Sequence, residues 1–159
     1  MKKKQKKVPL VDMDKMKQLF LDIKASFSNL KMELETKPEH VDLNMEISKQ
    51  NGLKFNVCVN LQGDELHLNV GEHFWLEWFP CTDQKVADAY VEAVKGILSG
   101  RLRILETYRG KKIVKSELQF PEKNMWVIKG TYAHGFNLPL IGRKTTKSLI
   151  NGEDLIHKF

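Results

Sequence analysis

LKFNVCVNLQGDELHLNV, residues Leu53 to Val70, is the stretch that decides the fold of this 159-residue chain. Its apolar residues recur at every second position on both sides of the Gln62-Gly63-Asp64 turn: Leu53, Phe55, Val57, Val59 and Leu61 before it, and Leu66, Leu68 and Val70 after it. Strict alternation around a short glycine-containing turn is typical of a β-hairpin with one buried face. The stretch therefore predicts two antiparallel strands at the centre of a sheet.

The same two-residue period extends outward in both directions, from Leu30 to Phe79. Upstream, LKMELET and VDLNMEIS alternate and are separated by the turns KPEH and KQNG. Downstream, HFWLEWF forms a strand that is apolar on both faces. We expect Phe74, Leu76 and Trp78 to face the core, whereas Trp75 and Phe79 either are covered by another element or face a ligand. Short turns between alternating runs predict an antiparallel meander with the strands paired in chain order.

Two helices are predicted to flank this meander, over residues 12–29 and 83–99. In the first, apolar residues recur at intervals of three and four from Met13 to Leu30, and Asp12 is a plausible N-cap. In the second, Val86, Tyr90 and their neighbours form a broad apolar face, and Gly100 is a natural stop. Both apolar stripes predict packing against the apolar face of the sheet.

The rest of the chain is predicted to add a hairpin around Gly110 with a three-residue loop, a strand over MWVIKGTY, and a loop with a short helix after Ala133. The fold prediction is α+β: one twisted antiparallel sheet of seven or eight strands, with an N-terminal and a central helix packed on one face. Residues 1–11 are interpreted as a disordered basic tail and residues 12–159 as a single domain.

Composition places the chain among globular proteins, with 42% apolar and 29% charged residues. No apolar run approaches the ~20 residues of a membrane-spanning helix. The basic start lacks the apolar core of a signal peptide, so a cytoplasmic location is predicted. Cys58 and Cys81 are interpreted as free thiols.

Charge is unevenly distributed along the chain. Residues 33–92 carry four Lys/Arg against twelve Asp/Glu, whereas residues 93–159 carry thirteen against five. This asymmetry indicates an anionic partner or self-association of unlike surfaces. One hypothesis is therefore an electrostatic binder of nucleic acid or another anionic partner, and its candidate residues lie on the predicted hairpin: Arg101, Arg103, Arg109, Lys111, Lys112 and Lys115.

The face of the meander opposite the core is polar and rich in asparagine, with a tryptophan at one side. Amides offer paired donors and acceptors, and an aromatic ring offers a stacking plane. A solvated sheet face is the alternative interpretation. The ligand-facing candidates are Asn44, Asn56, Asn60, His67, Asn69, His73, Trp75, Glu77 and Phe79.

No catalytic motif, metal site or cofactor is predicted. The only Cys/His set that could converge on a metal is Cys58, His67, His73 and Cys81, and its spacing matches no standard zinc pattern. The leading hypothesis is a non-enzymatic module that binds an unidentified protein or small molecule. Nucleic-acid binding is the alternative, and an enzyme with a cleft that sequence does not reveal is a third. The sequence fixes neither the ligand nor the oligomeric state.

Overall fold

A computed structural model of the protein describes residues 9–135 and 141–152. Residues 1–8 of the predicted tail (residues 1–11) lie outside the described residues. So does the predicted last helix where it falls on residues 136–140 and 153–159. The described elements, in chain order, are α1 (Met13–Ala25), β1 (Glu33–Glu35), β2 (Leu43–Ile47), β3 (Val57–Gln62), β4 (Glu65–Val70), β5 (Phe74–Trp78), α2 (Gln84–Ser99), β6 (Arg103–Arg109), β7 (Lys112–Glu122), β8 (Met125–Ala133) and β9 (Lys144–Ile150).

The α+β class is confirmed, but the prediction of one sheet with seven or eight strands is wrong. The strands form two antiparallel sheets: sheet 1 in the order β1-β2-β3-β4-β5, and sheet 2 in the order β8-β7-β6-β9. The meander is therefore confirmed for β1 to β5. It ends at β5 because α2 follows and carries the chain away before the second hairpin begins.

The centre of sheet 1 has the register that the alternation predicts. Val59 pairs with Leu68, and Asn60 pairs with His67. Val59 and Leu68 are fully buried, and the polar residues face the other side. The two-residue period thus divides this sheet into an apolar inner face and a polar outer face.

Both helices cover the inner face of sheet 1. Phe20 of α1 and Tyr90 of α2 are fully buried, and their rings lie 6.5 Å apart. The Tyr90 hydroxyl donates a 2.9 Å hydrogen bond to the backbone carbonyl of His67, so the buried polar group is satisfied. Trp78 packs edge-on against Tyr90 with ring centroids 5.5 Å apart.

The predicted helix boundaries are largely correct at the N-termini. Asp12 caps α1 by accepting from the Lys15 amide at 3.1 Å, and Asp83 caps α2 by accepting from the Lys85 amide. Helix α1 ends at Ala25, four residues before the predicted end. Helix α2 ends as predicted at Gly100, whose φ of 79° is the left-handed conformation that glycine favours.

Sheet 2 packs against the free edge of β5, which explains why β5 is apolar on both faces. The Ser116 hydroxyl on β7 donates to the carbonyl of His73. On β8, Gly130 approaches so closely that an added Cβ would lie 2.5 Å from Cδ2 of Leu76. Ile104 and Leu118 of sheet 2 join the same core cluster as the helices.

Two details of the C-terminal half differ from the predictions. Arg109 pairs with Lys112, so the hairpin loop has two residues rather than three, and a bulge follows at Thr107 and Tyr108. Residues 144–150, predicted as loop, form β9 and pair with β6 in antiparallel register. Residues 144–148 of β9 are exposed and polar, so this part of the strand lacks the apolar alternation that identifies a strand. Neither described helix is long and apolar enough to cross a membrane.

Candidate functional site

Six of the predicted ligand-facing residues share the outer face of sheet 1. Cross-strand register places four of them in one row, one residue on each of β2 to β5: Asn44, Asn60, His67 and Glu77. Asn69 and Trp75 form the adjacent row. His67 is 7% exposed and its neighbours are partly buried. This face is therefore more enclosed than a fully solvated sheet surface.

Trp75 is covered rather than free. Its ring contacts His67 at a centroid distance of 5.2 Å and Tyr132 of β8 at 6.0 Å, both in edge-to-face geometry. Sheet 2 thus contributes to the partial burial of Trp75 through Tyr132. Phe79, which follows β5, is 59% exposed.

The outer face also brings His67 together with two carboxylates. His67 Nε2 lies 3.1 Å from Glu65 Oε2 on the same strand and 4.0 Å from Glu77 Oε2 on β5. Cys58 lies on this face and donates to Asn44 Oδ1 at 3.3 Å, whereas Cys81 is buried in the core. The set of cysteines and histidines considered from the sequence does not converge among the described residues, and the cluster of Glu65, His67 and Glu77 was not foreseen.

The other two predicted ligand-facing residues, Asn56 and His73, line a separate cleft of about 400 Å³ between the two sheets. The loops around β3 and the turn before β5 form one wall, and β6 and β9 form the other. We call this the intersheet cleft, and its lining residues are Lys49, Lys54, Phe55, Asn56, Gly71, Glu72, His73, Glu106, Tyr108 and residues 147–150.

A buried carboxylate lies in the wall of the intersheet cleft. Glu106 is only 2% exposed, and its Oε2 accepts a 2.7 Å hydrogen bond from the Tyr108 hydroxyl. Its other oxygen has no hydrogen-bond donor in the described part of the chain. Burial, reinforced by this hydrogen bond to a carboxylate, raises the pKa of Tyr108 to about 12. Tyr108 therefore stays protonated and acts as a donor at neutral pH.

Three lysines surround the same cleft. The Lys54 ammonium donates to the Gly152 carbonyl at 2.9 Å. The ammonium groups of Lys49 and Lys147 have no ion-pair partner in residues 9–135 and 141–152. Lys147 pairs with Glu106 in the register of β6 and β9. Two of the cleft's cationic groups therefore have no ion-pair partner within the described part of the chain.

His73 connects the cleft to the contact between the sheets. Its carbonyl accepts from both Ser116 Oγ and His134 Nε2, and its ring meets Tyr108 edge-on at 6.5 Å. Ser116 Oγ also lies 3.1 Å from His134 Nε2. Ser116 is fully buried, so this Ser–His pair joins the sheets and does not present a nucleophile to solvent.

The six basic candidates do not form one surface. Arg101 pairs with Glu92 at 3.4 Å. Arg103 is buried over the Trp126 ring, 4.4 Å from its centroid, and donates to Gln119. Lys115 pairs with Glu117. Arg103 and Lys115 are therefore engaged within sheet 2.

The remaining three candidates, Arg109, Lys111 and Lys112, lie at the β6–β7 turn. There they join Arg143 and Lys144, because Arg109 pairs with Lys144 and the Gly110 amide donates to the Arg143 carbonyl. No carboxylate pairs with any of the five among the residues that the structure describes. We call these five residues the basic tip.

Glu106 and Lys147 of the intersheet cleft were not predicted as candidate site residues from the sequence. A signal for Glu106 existed, since Leu102, Ile104, Glu106 and Tyr108 alternate on one side of β6 and the first two are core residues. Burying a carboxylate among residues that face the core costs free energy unless the carboxylate is hydrogen-bonded or paired with a positive charge. Lys147 carried no such signal, because β9 was not recognised as a strand.

Comparison with known proteins adds no family to these observations: no family model, curated protein or solved structure matches the chain.

Proposed function

We propose that the protein is a binding module whose site is the intersheet cleft, and that its ligand is a small polar molecule with an anionic group and a hydroxyl or amine. The observation that carries this proposal is that cationic groups and a carboxylate acceptor line the same cleft. Lys49 and Lys147 offer cations without an ion-pair partner among the described residues, and Glu106 offers a buried acceptor. The volume of about 400 Å³ lies within the range of small-molecule sites.

The electrostatics of the cleft favour an anionic group at its mouth. The lining residues include three lysines and two glutamates, a formal charge of +1 with histidine neutral. Glu106 is the inner carboxylate and Tyr108 already donates to one of its oxygens. A ligand hydroxyl or amine would satisfy the second oxygen, and buried charge-assisted hydrogen bonds are among the stronger polar contacts.

Binding can be tested by NMR with a fragment set that separates the two requirements. The set contains simple carboxylates and phosphates, amines and alcohols without acidic groups, and molecules that combine both. We expect amide shifts at residues 71–73, 106–108 and 147–150, with the combined molecules binding most tightly. Binding confined to other surfaces, or equal binding of uncharged fragments, would contradict the proposal.

Variants then assign the contacts. Lys147→Ala should weaken the acidic fragments at least tenfold, since a charge-assisted hydrogen bond contributes about 1.5–3 kcal/mol. Glu106→Gln should weaken the amine-containing fragments selectively. Lys129→Ala is the matched control, because Lys129 is an exposed lysine of sheet 2 outside both the cleft and the basic tip. A loss of affinity equal to that in the control would remove Lys147 from the site.

A second candidate function is electrostatic binding of nucleic acid through the basic tip. The five cations at one end of sheet 2, none paired with a carboxylate in the described chain, favour this candidate. Replacing Arg109, Lys111 and Lys112 together by alanine should reduce the slope of log affinity against log salt for single-stranded RNA by about 2, as expected for three lost phosphate contacts. Lys17, Lys24 and Lys31, exposed near α1, provide the matched control triple. An unchanged slope would exclude the basic tip.

A further inference from the structure

The outer face of sheet 1 carries a cluster of metal-ligating side chains that is separate from the intersheet cleft. Glu65 and His67 lie two residues apart on β4 and point to the same side, and His67 pairs directly with Glu77 on β5. One ligand atom from each residue lies within 4.8 Å of the other two. Two adjacent strands of a sheet hold these positions, so the arrangement does not depend on a loop.

The charge balance of this cluster favours a bound cation. Among residues 9–135 and 141–152, His67 is the only basic side chain paired with Glu65 or Glu77. Two carboxylates whose oxygens lie within 4.8 Å of each other repel. A divalent cation would neutralise both and would accept the imidazole nitrogen as its third ligand.

The distances suit such a cation after a small adjustment. Zinc lies about 2.0–2.2 Å from nitrogen and oxygen ligands, so ligands of one tetrahedral ion are roughly 3.4 Å apart. The 3.1 Å separation of His67 Nε2 and Glu65 Oε2 already meets this requirement. Glu77 Oε2 lies 4.0 Å from His67 Nε2, and the ligand atoms of the cluster are up to 4.8 Å apart, so the Glu77 carboxylate must move by roughly 1–1.5 Å to reach this spacing. Its side chain is 36% exposed and therefore has room to rotate.

An independent observation beside the cluster also indicates a ligand. Asn60 pairs with His67 on β3, and its Oδ1 is buried with no hydrogen-bond donor in the described part of the chain. Buried side-chain acceptors are rarely left without a partner. Asn60 and His67 are direct cross-strand neighbours, so a ligand bound at the cluster would lie beside the residue that carries this unpaired acceptor.

The surroundings hold His67 in place. Its backbone carbonyl accepts from the buried Tyr90 hydroxyl, and the Trp75 ring packs edge-on against its imidazole. Positioning of ligating histidines by neighbouring groups strengthens metal sites. We propose that Glu65, His67 and Glu77 form a binding site for a divalent transition-metal ion, with Zn²⁺ as the best match.

This choice of metal follows from the ligands. One imidazole and two carboxylates suit zinc, and a set made only of oxygen ligands would instead favour magnesium or calcium. Three protein ligands leave one position open to solvent, an arrangement found in zinc sites that bind a water or a substrate.

The test is a titration of the tag-free full chain with Zn²⁺ against a competing chromophoric chelator, followed by Mn²⁺ titration monitored by NMR. We expect one equivalent of Zn²⁺ bound with micromolar or tighter affinity. Mn²⁺ should broaden the amide signals of residues 65–67 and 75–78 before others. No Zn²⁺ binding at 100 µM, or Mn²⁺ broadening centred elsewhere, would overturn the proposal.

Substitutions test the individual ligands. Glu65→Gln, His67→Gln and Glu77→Gln should each weaken Zn²⁺ binding at least tenfold, and the two glutamine-for-glutamate variants preserve shape and should remain folded by circular dichroism. His40→Gln is the control, because His40 lies 3.8 Å from Glu39 but both are highly exposed. If Glu65→Gln and Glu77→Gln bind Zn²⁺ as tightly as the His40→Gln variant, the site does not exist.

Discussion

The contact between Trp75 and Tyr132 offers a quantitative test of how sheet 2 covers β5. Their ring centroids are 6.0 Å apart at an interplanar angle of 73°, within the range in which edge-to-face pairs attract. Such pairs contribute about 0.5–1.5 kcal/mol beyond the burial of their surface. Replacing each ring by leucine, singly and together, isolates this pairwise energy in a double-mutant cycle.

The expected free energies follow from burial. Trp75 is partly buried and also contacts His67, so Trp75→Leu should cost about 1–2 kcal/mol, less than a core tryptophan truncation. Tyr132 is 37% exposed, and Tyr132→Leu should cost about 1 kcal/mol. The double variant should be less destabilised than the sum of the two, with a coupling of about 1 kcal/mol.

Urea unfolding followed by far-ultraviolet circular dichroism measures these differences without relying on tryptophan fluorescence. With a slope of about 2 kcal/mol per molar urea, the coupling corresponds to a midpoint difference of about 0.5 M. Trp78 is the matched control, since it lies on the same strand but packs against Tyr90 on the inner face. Trp78→Leu and Tyr132→Leu should be additive. A coupling for Trp75 and Tyr132 below about 0.3 kcal/mol would refute the packing described for β5 and β8.

Three further predictions concern stability and titration. Gly96→Ala should destabilise the protein by about 1–3 kcal/mol, because the added Cβ would lie 2.3 Å from Cγ of the buried Leu102. This loss should occur although alanine has a higher helix propensity than glycine. A higher urea midpoint for the variant than for the wild type would contradict the prediction. The pKa of the Cys58 thiol is raised to about 12, first by burial and then by the nearby Glu46 carboxylate. In a Cys81→Ser background, Cys58 should therefore react with a disulfide reagent at pH 8 at least a hundredfold more slowly in the folded chain than in the urea-unfolded chain. Equal rates would show that the fold does not raise the pKa of this thiol. The folded-state pKa of Tyr108 is about 12, above the usual tyrosine value near 10. The protonated side chain therefore stabilises the fold below pH 10, and this contribution is lost as the pH rises toward 12. The free energy of unfolding of Tyr108→Phe should fall less steeply than that of the wild type between pH 9 and 11, and equal slopes would show that Tyr108 makes no such contribution.

The sequence predicted sheet 1 well because one physical signal governs it. From Leu43 to Trp78 each strand has one face against the helices, so apolar residues must fall at every second position. The caps at Asp12, Asp83 and Gly100 were predictable for a similar reason, since they depend on local backbone groups. Helix caps and alternating apolar residues depend on neighbours along the chain, so a single sequence is enough to predict them.

The division into two sheets was not predictable from these patterns. Alternation indicates which face of a strand is buried but not which other element buries it. The apolar residues on both faces of β5 left open whether its outer side is covered by another element or faces a ligand, and the structure places Tyr132 of β8 against Trp75. Strand β9 escaped prediction because its exposed residues carry no alternation, and its pairing with β6 depends on main-chain hydrogen bonds.

The candidate sites illustrate the same distinction. The outer face of sheet 1 was predicted from its polar period, and Asn60, His67 and Glu77 do share it. The intersheet cleft depends on residues from distant segments, such as His73 and Lys147. No periodicity within one element relates these segments, so only the tertiary fold reveals that they meet.

Strand β5 connects the two candidate sites physically. Glu77 belongs to the cluster around His67, while the carbonyl of His73, one residue before the strand, accepts the hydrogen bonds from sheet 2 beside the intersheet cleft. A cation drawing Glu77 toward His67 would tighten the β4–β5 pair on the outer face. Because Trp75 lies between these two positions and contacts Tyr132 of sheet 2, any resulting shift of β5 would reach the wall of the cleft through packed side chains. Fragment affinity in the cleft should therefore be measured with and without Zn²⁺, since coupling between the sites requires that each ligand alter the affinity for the other by the same factor.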